Sequence, residues 1–369
     1  MLDPLSSATK LLVGYFSAGA IHEQNYHVTD IPADLLSHVI YAFADVTAEG
    51  SCVSVNPKDD QVNFPQLQDL QKDYPQLCVL ISVGGANHST NFAAVCAAAA
   101  TRANFAGSCV EFMTQNGFDG IDIDWEFPTA ADSENFTALL QELRSQLDVQ
   151  GETDDCRYVL TIAAPAGPDN IANLQLAKIH PLLDWINLES YDFAVASSRK
   201  TNFNAPLFTD KGDLNVSAAV NSYLAAGVPA NKIVVGVRFV GTGWQGVGPT
   251  DNGLYQTDTG AAPGTWDAPG AKPSGSFGYQ DIEDNYLPSY TRSWDSEAQA
   301  PWLYNGGTGI MLSYEDPQSL ASKADYVRTN QLGGLMIWEL SADDAQHTLL
   351  NALAALLGYR SAPRGTQQL

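Results

Sequence analysis

Eight short apolar runs separated by helix-like stretches set the strongest limit on what this chain folds into. They span residues 11–16, 39–44, 77–83, 120–125, 158–163, 185–188, 233–237 and 335–338. Several are continuous in β-branched and aromatic residues, the pattern of parallel strands buried on both faces. Candidate helices lie between them at 104–115, 133–147, 216–226 and 317–330. The last opens on Asp316, a good N-cap, with Pro317 in its first turn. Strand and helix alternating eight times predict an α/β fold, a (β/α)8 TIM barrel. The competing doubly wound sheet usually carries a glycine-rich phosphate fingerprint after its first strand, and Gly14-Tyr15-Phe16-Ser17-Ala18-Gly19 is not one. The rhythm fails once, from about 244 to 307, where Gly, Pro, Asp and aromatics are frequent and no long amphipathic helix is visible. A structureless loop of that length is rare, so the interval is expected to be a small inserted domain between strands 7 and 8.

Charge narrows the partners. The 369 residues carry 42 acidic and 18 basic side chains, a formal net charge of −24. Such a field repels phosphate, which argues against nucleic acid and anionic membranes. An uncharged sugar polymer meets no such barrier. No stretch of 18 apolar residues occurs, and the first ten residues lack the features of a signal peptide. Glycosylation tripeptides begin at Asn87, Asn135 and Asn215. The five cysteines are odd in number and form no C-x-x-C pair, so they read as small buried hydrophobes, with one bridge left open. The six histidines form no ligand pair, so no metal and no cofactor are expected.

The most informative segment is Phe118-Asp119-Gly120-Ile121-Asp122-Ile123-Asp124-Trp125-Glu126-Phe127-Pro128. On a strand, Asp122, Asp124 and Glu126 all face one way. In the fourth strand of a barrel that way is inward, with Glu126 at the C-terminal rim where active sites form. Converging carboxylates repel one another, so at least one should keep a proton near neutrality and serve as a general acid. A solvated acidic turn would not be interleaved with Ile121, Ile123 and Trp125, and a calcium loop would need a glycine at its sixth position.

The string D-G-I-D-I-D-W-E resembles the D-x-x-D-x-D-x-E signature of glycoside hydrolase family 18, the chitinases and their inactive relatives. Ser82-Val83-Gly84-Gly85 is similar to the family's S-x-G-G, and Gly14-Tyr15-Phe16 with Tyr41-Ala42-Phe43 to its first two strands. Tyr191-Asp192 matches the pair after strand six, and Gly333 to Glu339 the closing strand with its tryptophan. The resemblance runs over about residues 11–357. It implies a barrel at 11–243 and 314–358, an α+β insertion at 244–313 and a tail at 359–369.

It also implies a retaining, substrate-assisted hydrolysis of β-1,4-linked N-acetylglucosamine, without metal or cofactor. Glu126 is then the acid, Asp124 holds the acetamido N–H, Asp122 buffers Asp124 by sharing a proton, and Tyr191 holds the acetamido carbonyl. Trp338, Asp192, Tyr15, Phe43, Gly85, Trp125 and Trp244 are expected to bind or frame the sugar. For Trp244, as for Trp266, Trp294 and Trp302, the alternative of filling the insertion's core stays open.

Four positions depart from the family. Ala86 stands where a tryptophan is common, Glu189 where a methionine is, and Val240 and Thr242 where a tyrosine and an arginine are. Glu189 shares strand parity with Tyr191 and is expected to point into the barrel mouth, raising the proton affinity of the acidic strand. The alternative is neutralisation by Arg238. Two other functions compete: a catalytically silent, lectin-like chitin binder, and an endo-acting enzyme on N-glycans. The partner is expected to be chitin or chitooligosaccharide, preferentially soluble oligomers. The chain is expected to be secreted, and to act as a monomer or as one component of a larger assembly.

Overall fold

A computed structural model describes residues 10–358; the expectations for the first nine residues and for 359–369 lie outside the described residues. Eight parallel strands, Leu11–Ser17, His38–Val46, Cys78–Gly84, Gly120–Asp124, Val159–Pro165, Trp185–Glu189, Ile233–Arg238 and Gly334–Trp338, pair in that order. The first also pairs with the last, Leu11 to Gly14 beside Gly334 to Ile337, which closes the barrel. Alternation along each strand sorts the side chains. Val13, Tyr15, Ile40, Leu80, Val234 and Met336 meet inside the barrel. Leu12, Phe16, Val39, Val79, Ile121 and Ile123 face the surrounding helices. Both faces are therefore dry, which is why the strands read as continuous apolar runs.

The anticipated helices form at Ala99–Asn116, Ser133–Asp154, Val216–Ala225 and Pro317–Thr329. Asn215 Oδ1 caps the third by accepting from Ala218 N at 2.8 Å. Asp316 and Ser319 cap the fourth reciprocally, each side chain accepting the other's backbone N–H at 2.9 Å. Two long helices were not anticipated, Pro57–Asp73 and Thr348–Leu357. The first is mostly polar and carries Pro65 in its interior, which reads as a break in the sequence.

Between the seventh and eighth barrel strands lies a second, antiparallel sheet. Its strands are Gly241–Gln245, Gly260–Ala261, Ser276–Phe277, Thr291–Asp295, Ala300–Asn305 and Ile310–Ser313. One short helical turn, Tyr279–Asp281, runs on into a π-turn at Ile282–Tyr286. Trp244, expected as a sugar contact, is instead fully buried in the core of this sheet with Phe203, Leu254, Trp302 and Met311. Its indole N–H donates to Val195 O at 3.1 Å, so both the ring and its polar end are satisfied internally. Trp302 is enclosed in the same way and donates to Asn252 O. Ala194 and Phe203, from the loop after the sixth barrel strand, belong to the same core.

All five cysteines are free thiols. Cys52, Cys96 and Cys109 are buried, but Cys156 is exposed, against the expectation that all pack as core residues. Among the described residues no helix is long and apolar enough to cross a membrane.

Candidate active site

The fourth strand sends Asp122 and Asp124 inward and Ile121 and Ile123 outward. Asp122 is the anchor. Its Oδ2 accepts from Tyr15 OH and Ser82 Oγ, both at 2.8 Å, and its Oδ1 from Thr161 Oγ1 at 2.6 Å and Asn187 Nδ2 at 3.3 Å. These donors come from the first, third, fifth and sixth strands. Asp124 is different: it is 4% exposed and its Oδ1 has no partner.

The glycines of S-x-G-G now have a physical role. Gly84 has φ +115°, and a Cβ there would lie 2.0 Å from Asp124 O. Gly85, at φ +87°, donates its N–H to Asp124 O at 2.7 Å, and a Cβ on it would meet the Phe43 ring at 2.7 Å. Two bare backbones thus let the third strand press against the acidic one. Gly85 frames the site by admitting Phe43. Ser89 completes the turn. Its Oγ accepts from Glu126 N at 2.9 Å and donates to Gly85 O at 2.9 Å, fixing the peptide that carries Glu126. Gly236, on the seventh strand, leaves room for the Tyr191 ring, whose Cε1 would be 2.8 Å from a Cβ there.

These elements bound a cavity of about 420 Å³ at the C-terminal end of the barrel. Glu126, Asp124, Glu189, Tyr191, Tyr15 and Phe43 line it, with Asp192 and Trp338. The Trp338 ring stacks on Phe43 at 5.8 Å and lies 5.5 Å from Tyr15, forming an aromatic floor. Peptide bonds Ala42–Phe43, Glu126–Phe127 and Trp338–Glu339 are cis.

One expected contact is absent. Trp125 points away from the cavity, stacked on Phe92 at 5.1 Å with its edge toward Phe136. Strand alternation requires this, since its neighbours Asp124 and Glu126 face in. The cavity also includes Glu23, at the end of the short helix Ala20–Glu23, and Asn56 and His88, from loops after the second and third strands. No periodic signal marks such loop residues; only their place after a strand's C-terminal end hints at them. Ala86 lines the cavity too, so the aromatic expected there is absent from the wall.

Glu189 enters as its parity predicts. Asp124, Glu126 and Glu189 each offer an oxygen, all within 4.8 Å of one another. Arg238 does not neutralise Glu189. Its guanidinium meets Asp192 Oδ1 and Thr242 Oγ1, both at 3.0 Å, and Glu189 Oε2 stays buried without a partner. A guanidinium therefore lies beside Thr242 although the arginine expected at 242 itself is missing.

Burial dominates the electrostatics. It raises Asp124 well above the usual carboxylate range, with Glu126 and then Asp122 adding to the effect. It raises Glu126, helped by Asp192. Glu189 is raised well by burial, then by Asp124, Glu126, Asp192 and Asp122. In Asp122 burial outweighs its four donors. Tyr191 is raised by burial and then by Glu189, so it remains a phenol. The group therefore holds protons more tightly than free carboxylates, the state a general acid needs. The three carboxyls lie close enough to share protons.

Comparison with known proteins agrees with this geometry. The profile described as "Glycosyl hydrolases family 18" matches residues 11–343. Chitinase A1 of Niallia circulans is 37% identical over 411 residues, which cover 93% of this chain and 58% of that protein. Endochitinase 1 of Metarhizium robertsii is 35% identical, over 89% of this chain and 80% of the relative. Among solved structures, chitinase ChiA74 from Bacillus thuringiensis superposes with a TM-score of 0.92 at 33% identity, covering 97% of this chain and 71% of the other. The chain thus spans little more than half the length of the first of these relatives.

Proposed function

Because the chain belongs to glycosyl hydrolases family 18, we propose that it cleaves β-1,4 linkages between N-acetylglucosamine residues of chitin or chitooligosaccharides. The relatives named chitinases support this substrate class. The observation that carries the reading is the meeting of Glu126, Asp124 and Tyr191 in one aromatic-floored cavity, with the Glu126 carboxyl raised toward its acid form.

Glu126 gives its proton to the glycosidic oxygen as the C1–O bond breaks. The substrate's own acetamido carbonyl oxygen attacks C1 from the opposite face, closing an oxazolinium ring, the substrate-assisted variant of retention. Asp124 accepts a hydrogen bond from the acetamido N–H and stabilises the positive charge, and Tyr191 OH donates to the acetamido oxygen before attack. Holding the arm in place makes the attack intramolecular. Glu126, now a carboxylate, takes a proton from water, which opens the ring and restores the starting configuration. Asp122, held in place by four donors, buffers Asp124 by sharing a proton with it. Trp338 carries the apolar face of the sugar.

An insoluble polymer lies outside the cell that digests it, so an extracellular site of action goes with this reading. The test is release of a fluorophore from N-acetylglucosamine di- and trisaccharide glycosides by the wild type and Glu126→Gln. Release by the first, and a loss of several orders of magnitude in the second, is expected. Silence in both would overturn the enzyme reading and favour a lectin-like protein.

A further inference from the structure

The second barrel strand folds back on itself as a hairpin: Val46 pairs with Cys52, Asp45 with Val53 and Ala44 with Ser54. The two residues that follow, Val55 and Asn56, line the cavity. The hairpin leans on the helix Ala99–Asn116. Cys52 N donates to Ser108 Oγ at 2.9 Å, and a Cβ on Gly50, at the turn, would meet Thr101 O at 3.4 Å. Next to Ser108 stands Cys109. Cys52 is 6% exposed and Cys109 fully buried, and both belong to the same apolar cluster. The Cys109 thiol is pushed up first by burial, then by its hydrogen bond with Cys52 and the charge of that thiol, and last by Cys96. Two thiols therefore meet between the hairpin and the helix. A single buried cysteine packs as a small hydrophobe, but two whose side chains converge are placed to close a bond.

We infer that Cys52 and Cys109 form a cross-linking site, closing into a disulfide that ties the hairpin of the second strand to the helix Ala99–Asn116. The oxidant is another disulfide, carried by a small molecule or a protein. One cysteine, as thiolate, attacks a sulfur of that disulfide and expels one thiolate. The other cysteine then attacks the mixed disulfide, expels the second thiolate and leaves the Cys52–Cys109 bond. Two electrons and two protons pass from the cysteines to the oxidant, which ends as two thiols. Burial decides when this happens. In the folded chain the sulfurs are shielded and the Cys109 thiolate is disfavoured, so the exchange belongs to folding, before the helix covers the hairpin. Disulfides persist in oxidising surroundings, which agrees with the extracellular site of action proposed above. Once closed, the bond fixes the segment that leads into Val55 and Asn56 to the helix ring outside the barrel.

The experiment is a peptide map. The full chain is refolded from urea in reduced and oxidised glutathione, alkylated with iodoacetamide in denaturant and digested with trypsin. Cleavage after Lys10, Lys58, Lys72, Arg102, Arg144 and Arg157 puts Cys52 on 11–58, Cys78 and Cys96 on 73–102, Cys109 on 103–144 and Cys156 on 145–157. A species joining 11–58 to 103–144, which dithiothreitol separates, is the expected result. The urea midpoint of the cross-linked protein should fall on reduction. Cys52→Ser and Cys109→Ser should each keep one midpoint with and without reductant. Alkylated Cys52 and Cys109 after refolding, or a link from 103–144 to 73–102 that takes Cys96 instead, would overturn the inference. The wild-type map decides by itself if neither variant folds. Hydrolysis enters none of these readouts, so the two readings fail separately.

Discussion

Glu339 follows the last residue of the eighth strand next to the aromatic floor, is 7% exposed, and leaves Oε2 without a partner. Burial, aided by Glu23 and opposed by Arg238, pushes its carboxyl from 4.5 up to about 7. The folded protein therefore binds this proton more tightly than the unfolded chain does. Protonation favours folding, so the contribution is full below about 4.5 and is lost as pH rises to about 7. By linkage the loss totals about 3 kcal/mol. Glu339→Gln removes the titration. The fixed cost of the amide's own unpaired atoms is the same at every pH, so the informative quantity is a difference of differences. The variant should gain about 3 kcal/mol on wild type between pH 4.5 and pH 8. Urea unfolding followed by tryptophan fluorescence at the two pH values measures it. Asp343, raised to about 6, has the same sign, and His38, lowered to about 4, the opposite one. Both remain in wild type and variant and cancel. A gap between the two proteins that is equal at both pH values would refute the reasoning.

Other perturbations test the site and its frame. Gly84→Ala puts a Cβ 2.0 Å from Asp124 O at a positive φ, so stability should fall by about 1–3 kcal/mol and kcat at least tenfold, read by thermal unfolding and by fluorophore release. Glu189→Met removes a carboxyl that lies within proton-sharing distance of Asp124 and Glu126. With Asp122, Asp192, Tyr191, Tyr223 and Arg238 still facing the group, the alkaline limb of the kcat/KM profile should move to lower pH; an unmoved limb would mean that Glu189 does not share their proton. Lys323, 1% exposed, pairs with buried Glu315, whose other donor is Ser319 Oγ at 2.6 Å. Lys323→Met should destabilise by about 3–5 kcal/mol in chemical denaturation, since the carboxylate stays buried without its cation.

What the sequence made legible follows from periodicity. Strands buried on both faces declare themselves as apolar runs, and the inward set on the fourth strand follows from alternation once Asp122 is read as facing in. The same alternation, applied to Trp125, turns it outward against Phe92, although a resemblance by motif counts it with the sugar contacts. Glu189 was legible by parity, but its company was not: only the fold reveals that Arg238 turns to Asp192 and Thr242. Trp244 was ambiguous because a tryptophan that stacks on sugar and one that fills a small sheet look alike in a glycine-rich stretch. The helix Pro57–Asp73 was hidden because its buried face mixes Asp59, Asp60 and Asn63 with Phe64 and Leu67 instead of forming a clean apolar stripe. Tyr41 OH donates to Asp60 at 2.5 Å, so part of what holds that helix to the barrel is polar.

The loop after the sixth strand is stitched into the second sheet. Asn204 Nδ2 donates to Asp192 Oδ1 at 2.7 Å and to Thr242 Oγ1 at 3.1 Å, and its backbone N–H donates to Ser313 Oγ at 2.9 Å. Trp244 reaches Val195, and Lys200 bridges to Thr257. The seam between barrel and second sheet therefore does not run where the chain leaves and re-enters the barrel; it runs on the far side of Asp192. An engineer who excised the stretch between the seventh and eighth strands, or exchanged it for that of a relative, would also unpick the loop that holds a residue of the cavity wall. Exchanges have to carry residues 192–205 along with the insert, as one cassette assembled from two separate pieces of sequence.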